Sequence, residues 1–249
     1  MAWRLALPLC LLLVAPSARA QDVPSARAQD APACPAAPVQ PLVLPHLAEA
    51  LREGRPAVVV AFGSSSTQGA YASSPDRSYP AQLEAALRRA GLAVRVLNRG
   101  RGGEDAPEMH ARLDRDVVAA RPALVIWQLG VNGAMRGQSL TRFRALLDEG
   151  VARIQATGAD VVLMDSQRGP WVAAHAVLRD AFDNALSDVA RERGALLFSR
   201  RRMMDSWVAA GTGEAAMIAP DGLHHNDRGY ACLAQALAAG IGAGLHLPR

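Results

Sequence analysis

Lysine is absent: all 27 basic residues of this 249-residue chain are arginine. A phosphate-binding P-loop is thereby excluded, because it needs Gly-Lys where Gln68 stands in the one segment that approaches its shape. Aromatic residues are also scarce, at 4%, and offer little for nucleobases to stack on. The arginines are interspersed with Asp and Glu to a net charge of +4, so the basic balance marks no nucleic-acid surface. An all-arginine usage fits the coding bias of a GC-rich genome. There are only three cysteines, and beside the Asp221/His224 pair no second cluster of His, Cys or Asp has metal-ligand spacing, so no metal centre is indicated. The one marked apolar run, residues 5–15, is too short for a permanent membrane anchor. What remains is a chain that is 50% hydrophobic, enough to bury a single core.

The first residues have the form of an export signal. Met1-Ala2-Trp3-Arg4 gives a basic start, 5–15 the apolar core and Ala18-Arg19-Ala20 a small-residue cleavage site. The block around that site recurs and offers a second cleavage position at Ala28. The expected organisation is a signal peptide over 1–20, with cleavage possible to 28, a Pro/Ala-rich flexible arm over 21–40 and one folded domain over 41–249. Such a protein is periplasmic or extracellular and keeps no integral membrane segment once the signal is removed. Cys10 leaves with the signal. In an oxidising compartment Cys34 and Cys232 can form one bridge, contributing roughly 2–4 kcal/mol. Two unpaired buried thiols are the alternative.

Short apolar runs then alternate with amphipathic stretches. Strands are expected over 57–62, 94–97, 123–127, 161–164 and 196–198, and helices over 79–90, 106–119, 140–157, 173–193 and 227–239. Apolar strands without strict alternation, separated by helices, imply a parallel sheet covered on both faces. Ligands in such α/β sheets bind beyond the carboxyl ends of the strands.

Four polar segments fall at such ends. Gly63-Ser64-Ser65-Ser66-Thr67-Gln68-Gly69 follows the first strand and can present a hydroxyl nucleophile, although Ser, Thr and Gly are also ordinary turn residues. The Gly-x-Ser-x-Gly elbow does not fit it, because Thr67 stands where Gly is required. Asn98-Arg99-Gly100-Arg101-Gly102-Gly103 lets backbone N–H groups approach a ligand, or is a flexible turn. Gly130-Val131-Asn132-Gly133 offers a side-chain amide to a developing oxyanion, or is an Asn-Gly turn. Asp221-Gly222-Leu223-His224 places a carboxylate three residues before a histidine, where it can hold the far ring nitrogen. His225, Asn226 and Asp227 read as the entry and cap of the last helix.

In this order the four segments resemble the SGNH (GDSL-type) hydrolases, across roughly residues 56–240. The motif Gly-Asp-Ser-x-Thr corresponds to Gly63-Ser64-Ser65-Ser66-Thr67, which makes Ser65 the nucleophile. The second motif's glycine corresponds to Gly103, the Gly-x-Asn of the third to Gly130-Val131-Asn132, and the final Asp-x-x-His to Asp221 and His224. Ser64 replaces the usual Asp before the nucleophile and Gly133 the usual Asp after the Asn; neither is a triad position, so loop bracing differs while the chemistry stands. The resemblance implies an SGNH hydrolase-type catalytic domain over 41–249. It implies a three-layer α/β/α sandwich on a five-stranded parallel sheet, flavodoxin-like, and a metal-free esterase with no cofactor. In it Asp221 orients His224, His224 activates Ser65, and the Ser65 and Gly103 amides with the Asn132 side chain form the oxyanion hole.

Three function classes follow. The first is an exported serine esterase acting on short-chain or O-acetyl groups of a small molecule or polysaccharide. The second is an O-acyltransferase that passes the acyl group to a glycan from the same serine; it would favour transfer over hydrolysis when an acceptor is added. The third, a non-catalytic glycan-binding module, would carry a broken triad, whereas all three triad residues are present here.

Overall fold

The computed structural model describes Met1, residues 33–55 and residues 57–245. The expected signal segment, the repeated block and His246 lie outside the described residues. Five strands form one all-parallel sheet in the order β2-β1-β3-β4-β5: β1 (Ala57–Gly63), β2 (Val94–Gly100), β3 (Leu124–Gln128), β4 (Asp160–Met164) and β5 (Leu196–Phe198). This is the flavodoxin-like strand order, and its direction reverses between β1 and β3. The expected α/β sandwich on a five-stranded parallel sheet is therefore found.

The strands are apolar throughout because both faces of the sheet are covered. Val59 and Ala61 of β1 enter one core with α1 (Pro45–Arg52), α3 (Tyr79–Arg89), α10 (Arg200–Ala209) and α11 (Asp227–Gly244). Val60 and Phe62, the alternate residues, enter the other with α4 (Ala106–Ala111), α5 (Leu113–Asp116), α7 (Leu140–Gln155) and α9 (Ala176–Arg193). Three further short α-helices occur among the described residues: α2 (Ser65–Gln68), α6 (Val131–Met135) and α8 (Pro170–Ala173).

Several boundaries differ from the sequence expectation. β2 runs on to Gly100, so Asn98 and Arg99 belong to the strand rather than to the loop after it. The helix expected over 106–119 splits at Arg112, whose backbone leaves helical geometry (φ −111°, ψ 5°). Its guanidinium instead turns inward, 4.4 Å above the Phe62 ring. The helix expected over 173–193 breaks at His175, whose ring Nδ1 donates to the Trp171 carbonyl at 3.0 Å. That carbonyl is the one a continuous helix would pair with the His175 amide, which goes to Val172 O instead. α1 and α10 were not foreseen.

Residues 33–40 carry no regular secondary structure but are fastened to the folded domain, in part by Arg228 Nη2 donating to Ala33 O at 3.1 Å. Cys34 and Cys232 are disulfide-bonded across a sequence separation of 198. Gln40 exchanges hydrogen bonds with the Ser199 backbone, each 2.9 Å. Among the described residues no helix is long and apolar enough to cross a membrane.

Candidate active site

Parallel register places the ends of three strands side by side, with Gly63 of β1 opposite Gly100 of β2 and Gln128 of β3. The loops that leave these residues carry Ser65, Gly103 and Asn132. They flank the reversal between β1 and β3, where open α/β sheets form their ligand crevice.

Ser65 is the first residue of α2, where an amide has no intrahelical partner. The loop is compressed against β2: a Cβ on Gly100 would lie 2.0 Å from the Gln68 nitrogen, so only glycine fits there. Gln128 braces it from the other side. The Gln128 Oε1 atom accepts from the Ser64 amide, the Ser64 hydroxyl and the Thr67 hydroxyl, each at 3.1 Å. Thr67 Oγ1 also pairs with the buried Tyr79 hydroxyl at 3.2 Å.

The Gly103 segment is held by arginines. Arg112 Nη2 donates to Gly63 O at 3.1 Å, its Nη1 to Arg99 O at 2.9 Å and its Nε to Glu104 at 2.6 Å. Ion pairing with Asp116 completes the group, and that carboxyl is lowered to about 2, by the Arg115 hydrogen bond most and that of Arg112 next, against the effect of burial. Gly103 has φ +77°, and its carbonyl accepts from Arg136 at 2.6 Å. Asn132, in α6, donates from Nδ2 to Glu104 O at 2.8 Å. An amide nitrogen has two protons, so one remains for a ligand.

The segment 217–226 folds back on itself. An antiparallel bridge joins Ile218 to His225, and Ala219 N donates to His224 O at 2.8 Å. Within this turn Asp221 Oδ1 accepts from the Leu223 and His224 amides, both at 3.1 Å. Its Oδ2 lies 2.5 Å from His224 Nδ1. Burial opposes ionisation of Asp221, but the hydrogen bonds from the His224 ring and the two amides outweigh it and hold its carboxyl below the ordinary value. An ionised carboxylate only accepts, so His224 Nδ1 carries the proton and Nε2 is left as an acceptor. Ser65 Oγ is 2.7 Å from that Nε2, across 159 residues of sequence.

The structure thus brings Ser65, His224 and Asp221 into one hydrogen-bonded chain, and Gly103 and Asn132 into a braced pair joined through residue 104. Among the described residues, no group of three or more His, Cys, Asp or Glu is arranged to hold a metal ion. His225 is fully buried behind the loop, its Nδ1 donating to Met217 O at 3.2 Å, and Asn226 caps α11 by accepting from Gly229 N. Gln128, Arg112, Arg136 and Tyr71 were missed by sequence reasoning. Gln128 did leave a signal, being the one polar residue in the run Leu124-Val125-Ile126-Trp127-Gln128. The Tyr71 ring lies against the His224 imidazole, with centroids 5.5 Å apart and planes at 16°.

Comparison with known proteins gives the family and the fold. The model of the Non-GDSL lipase-like family matches residues 31–247. Esterase TesA of Pseudomonas aeruginosa is 25% identical over 148 residues, covering 59% of this chain and 70% of that protein. An acetylxylan esterase from Geobacillus stearothermophilus, solved as a catalytic mutant, superposes with TM-score 0.65 at 22% identity, covering 75% of this chain and 94% of its own. LAE5, an α/β hydrolase enzyme from the metagenome of Lake Arreo, Spain, gives TM-score 0.64 at 22% identity, with 75% and 95% covered. At that identity the two structures speak for the fold alone. The chain belongs to the Non-GDSL lipase-like family, and with it to the SGNH hydrolases, as a carboxylic ester hydrolase of that type.

Proposed function

We propose that the protein is an exported serine esterase that hydrolyses short-chain or O-acetyl esters through Ser65, His224 and Asp221. The observation that carries this reading is the hydrogen-bonded chain itself, 2.7 Å from Ser65 Oγ to His224 Nε2 and 2.5 Å from His224 Nδ1 to Asp221. His224 Nε2 takes the Ser65 proton as Oγ attacks the acyl carbonyl carbon. Asp221 holds the ring and stabilises the imidazolium that forms. The Ser65 and Gly103 amides and the second Asn132 Nδ2 proton face the oxyanion. His224 then gives its proton to the leaving alkoxide, and the alcohol departs from an acyl-Ser65 intermediate. Water, deprotonated by the same nitrogen, releases the acid and restores the serine.

Export is supported by the basic start, apolar run and small-residue site over residues 1–20. The Cys34–Cys232 pairing supports it too, since disulfides persist in oxidising compartments. The likeness to an acetylxylan esterase favours acetylated sugars among the substrates to try.

Diisopropyl fluorophosphate tests the nucleophile. Attack by Ser65 Oγ on phosphorus with loss of fluoride leaves a single adduct, read by intact mass and mapped by peptide sequencing. The expected label is on Ser65, and His224→Ala abolishes it. A label on another residue, or none on the wild-type protein, contradicts the assignment.

A further inference from the structure

Among the described residues every Phe, Tyr and Trp is at most 2% exposed, except two: Tyr71 at 58% and Trp171 at 54%. Both pack on the same turn, Asp221-Gly222-Leu223-His224. Tyr71 stacks on the His224 imidazole. Trp171 donates its amide to Gly222 O at 3.2 Å, and a Cβ added at Gly222 would lie 3.5 Å from the indole Cδ1. We propose that Tyr71 and Trp171 form the binding surface for the alcohol part of the ester, and that this part is a pyranose sugar. The inference rests on the esterase reading above.

Neither ring is exposed by default. Tyr71 has φ +65°, a left-handed conformation that bulky residues rarely adopt. Residues on both sides of it are tied to α11: Tyr230 Oη donates to Ala70 O at 2.7 Å, and Asp227 accepts the Ser73 amide at 2.8 Å and its hydroxyl at 2.5 Å. Backbone strain held in place by surrounding bonds, next to a reactive group, points to a task for that side chain. Trp171 is fixed in a different way. The His175 ring lies parallel to it, 6.2 Å between centroids with planes at 5°, and bonds to its carbonyl. The indole is therefore presented as a preorganised flat surface.

The direction of catalysis assigns the side of the substrate. His224 returns its proton to the leaving oxygen, so the alcohol part lies against the His224 turn. The oxyanion donors sit on the loops after β2 and β3 and face the acyl carbonyl instead. Rings packed on the His224 turn consequently meet the alcohol. A flat, electron-rich face suits the polarised C–H face of a pyranose, whose hydroxyls remain in water at the edge.

The test compares kcat/KM for methyl O-acetyl-xylopyranoside, ethyl acetate and hexyl acetate in wild type, Trp171→Ala, Trp171→Phe, Tyr71→Ala and Tyr71→Phe. The wild type should favour the acetylated pyranoside. Either alanine variant should lower the pyranoside-to-ethyl-acetate ratio by roughly tenfold, carried by KM, and either phenylalanine variant should restore it to within about threefold. A wild-type preference for hexyl acetate, or ratios unmoved in both alanine variants, overturns the proposal while leaving the esterase reading intact. Calorimetric titration of the Ser65→Ala protein with xylotriose decides the same question without turnover. Binding weakened by Trp171→Ala supports the platform, and binding that is absent or indifferent to that change rejects it. If no ester is turned over at all, the esterase reading fails and the titration alone decides the surface.

Discussion

The Ser64 amide donates to the side-chain oxygen of Gln128 at 3.1 Å, tying the loop that carries Ser65 to the end of the central strand β3. Where the resembling motif has an aspartate, this chain has a serine whose hydroxyl donates to that same oxygen. In this chain the loop is braced from the neighbouring strand.

Gln128→Ala should therefore act on stability and on rate together. It strands buried donors at Ser64 and Thr67, which costs about 1–3 kcal/mol, or a Tm lower by about 5 °C. Displacement of Ser65 should also lower kcat by roughly tenfold or more. Thermal melting and steady-state kinetics on one preparation check both, and an unchanged kcat would remove Gln128 from the account of the site.

The central elements were legible because burial on both faces of a sheet leaves continuous apolar runs, as in residues 57–62 and 123–127. The hydrogen-bonded grouping of Ser65, His224 and Asp221 could be anticipated because Asp221 and His224 are local to one turn and Ser65 closely follows a strand. Elements whose periodicity is interrupted by polar residues were not readable. α10 opens with Arg200-Arg201-Arg202, and Arg200 is fully buried, donating to Asp165 O and Gln167. α1 buries only Leu47 and Ala50 among its eight residues, too few to show a helical face. The break at Arg112 was hidden because its cause is distant, in the carbonyls of Gly63 and Arg99. Tyr71 escaped notice because its role comes from a contact 153 positions along the chain with His224.

Asn132 should contribute to the transition state rather than to binding. Its Nδ2 is already oriented by Glu104 O, so the remaining proton is fixed before substrate arrives. Asn132→Ala should lower kcat by roughly 10²–10³ with little change in KM. A rise in KM at constant kcat would assign Asn132 to ground-state binding instead.

The Cys34–Cys232 bond joins residues 198 apart, so its loss releases a long loop in the unfolded chain. Replacing both cysteines by alanine should lower stability by roughly 2–4 kcal/mol, or about 4–16 °C in Tm. Adding reductant to the wild-type protein should shift the melt by a similar amount and leave the double variant unmoved. Identical melts with and without reductant would contradict a stabilising bridge.

His225 should dominate one limb of the acid profile. Burial, with the Arg200 charge adding to it, lowers its pKa from 6.5 to about 3. The folded state then binds fewer protons than the unfolded state between these values. The associated stability is present above pH 6.5 and is lost as pH falls, on the order of 2 kcal/mol by pH 5. Asp165, pushed up to about 6 by burial and by the Asp183 charge, acts in the opposite sense and is common to wild type and variant. Denaturant unfolding from pH 7 to 4 should show a shallower acid loss in His225→Gln by about one proton, whatever its stability at pH 7. Equal slopes would mean that His225 is protonated in the folded protein.

The central claim is that Ser65 carries the acyl group, and hydrolysis of p-nitrophenyl acetate and butyrate by the wild-type protein beside Ser65→Ala tests it most directly. The account predicts turnover in the wild type and a loss of roughly 10³-fold or more in the variant, with the melting temperature retained. Equal turnover by the two proteins would contradict it.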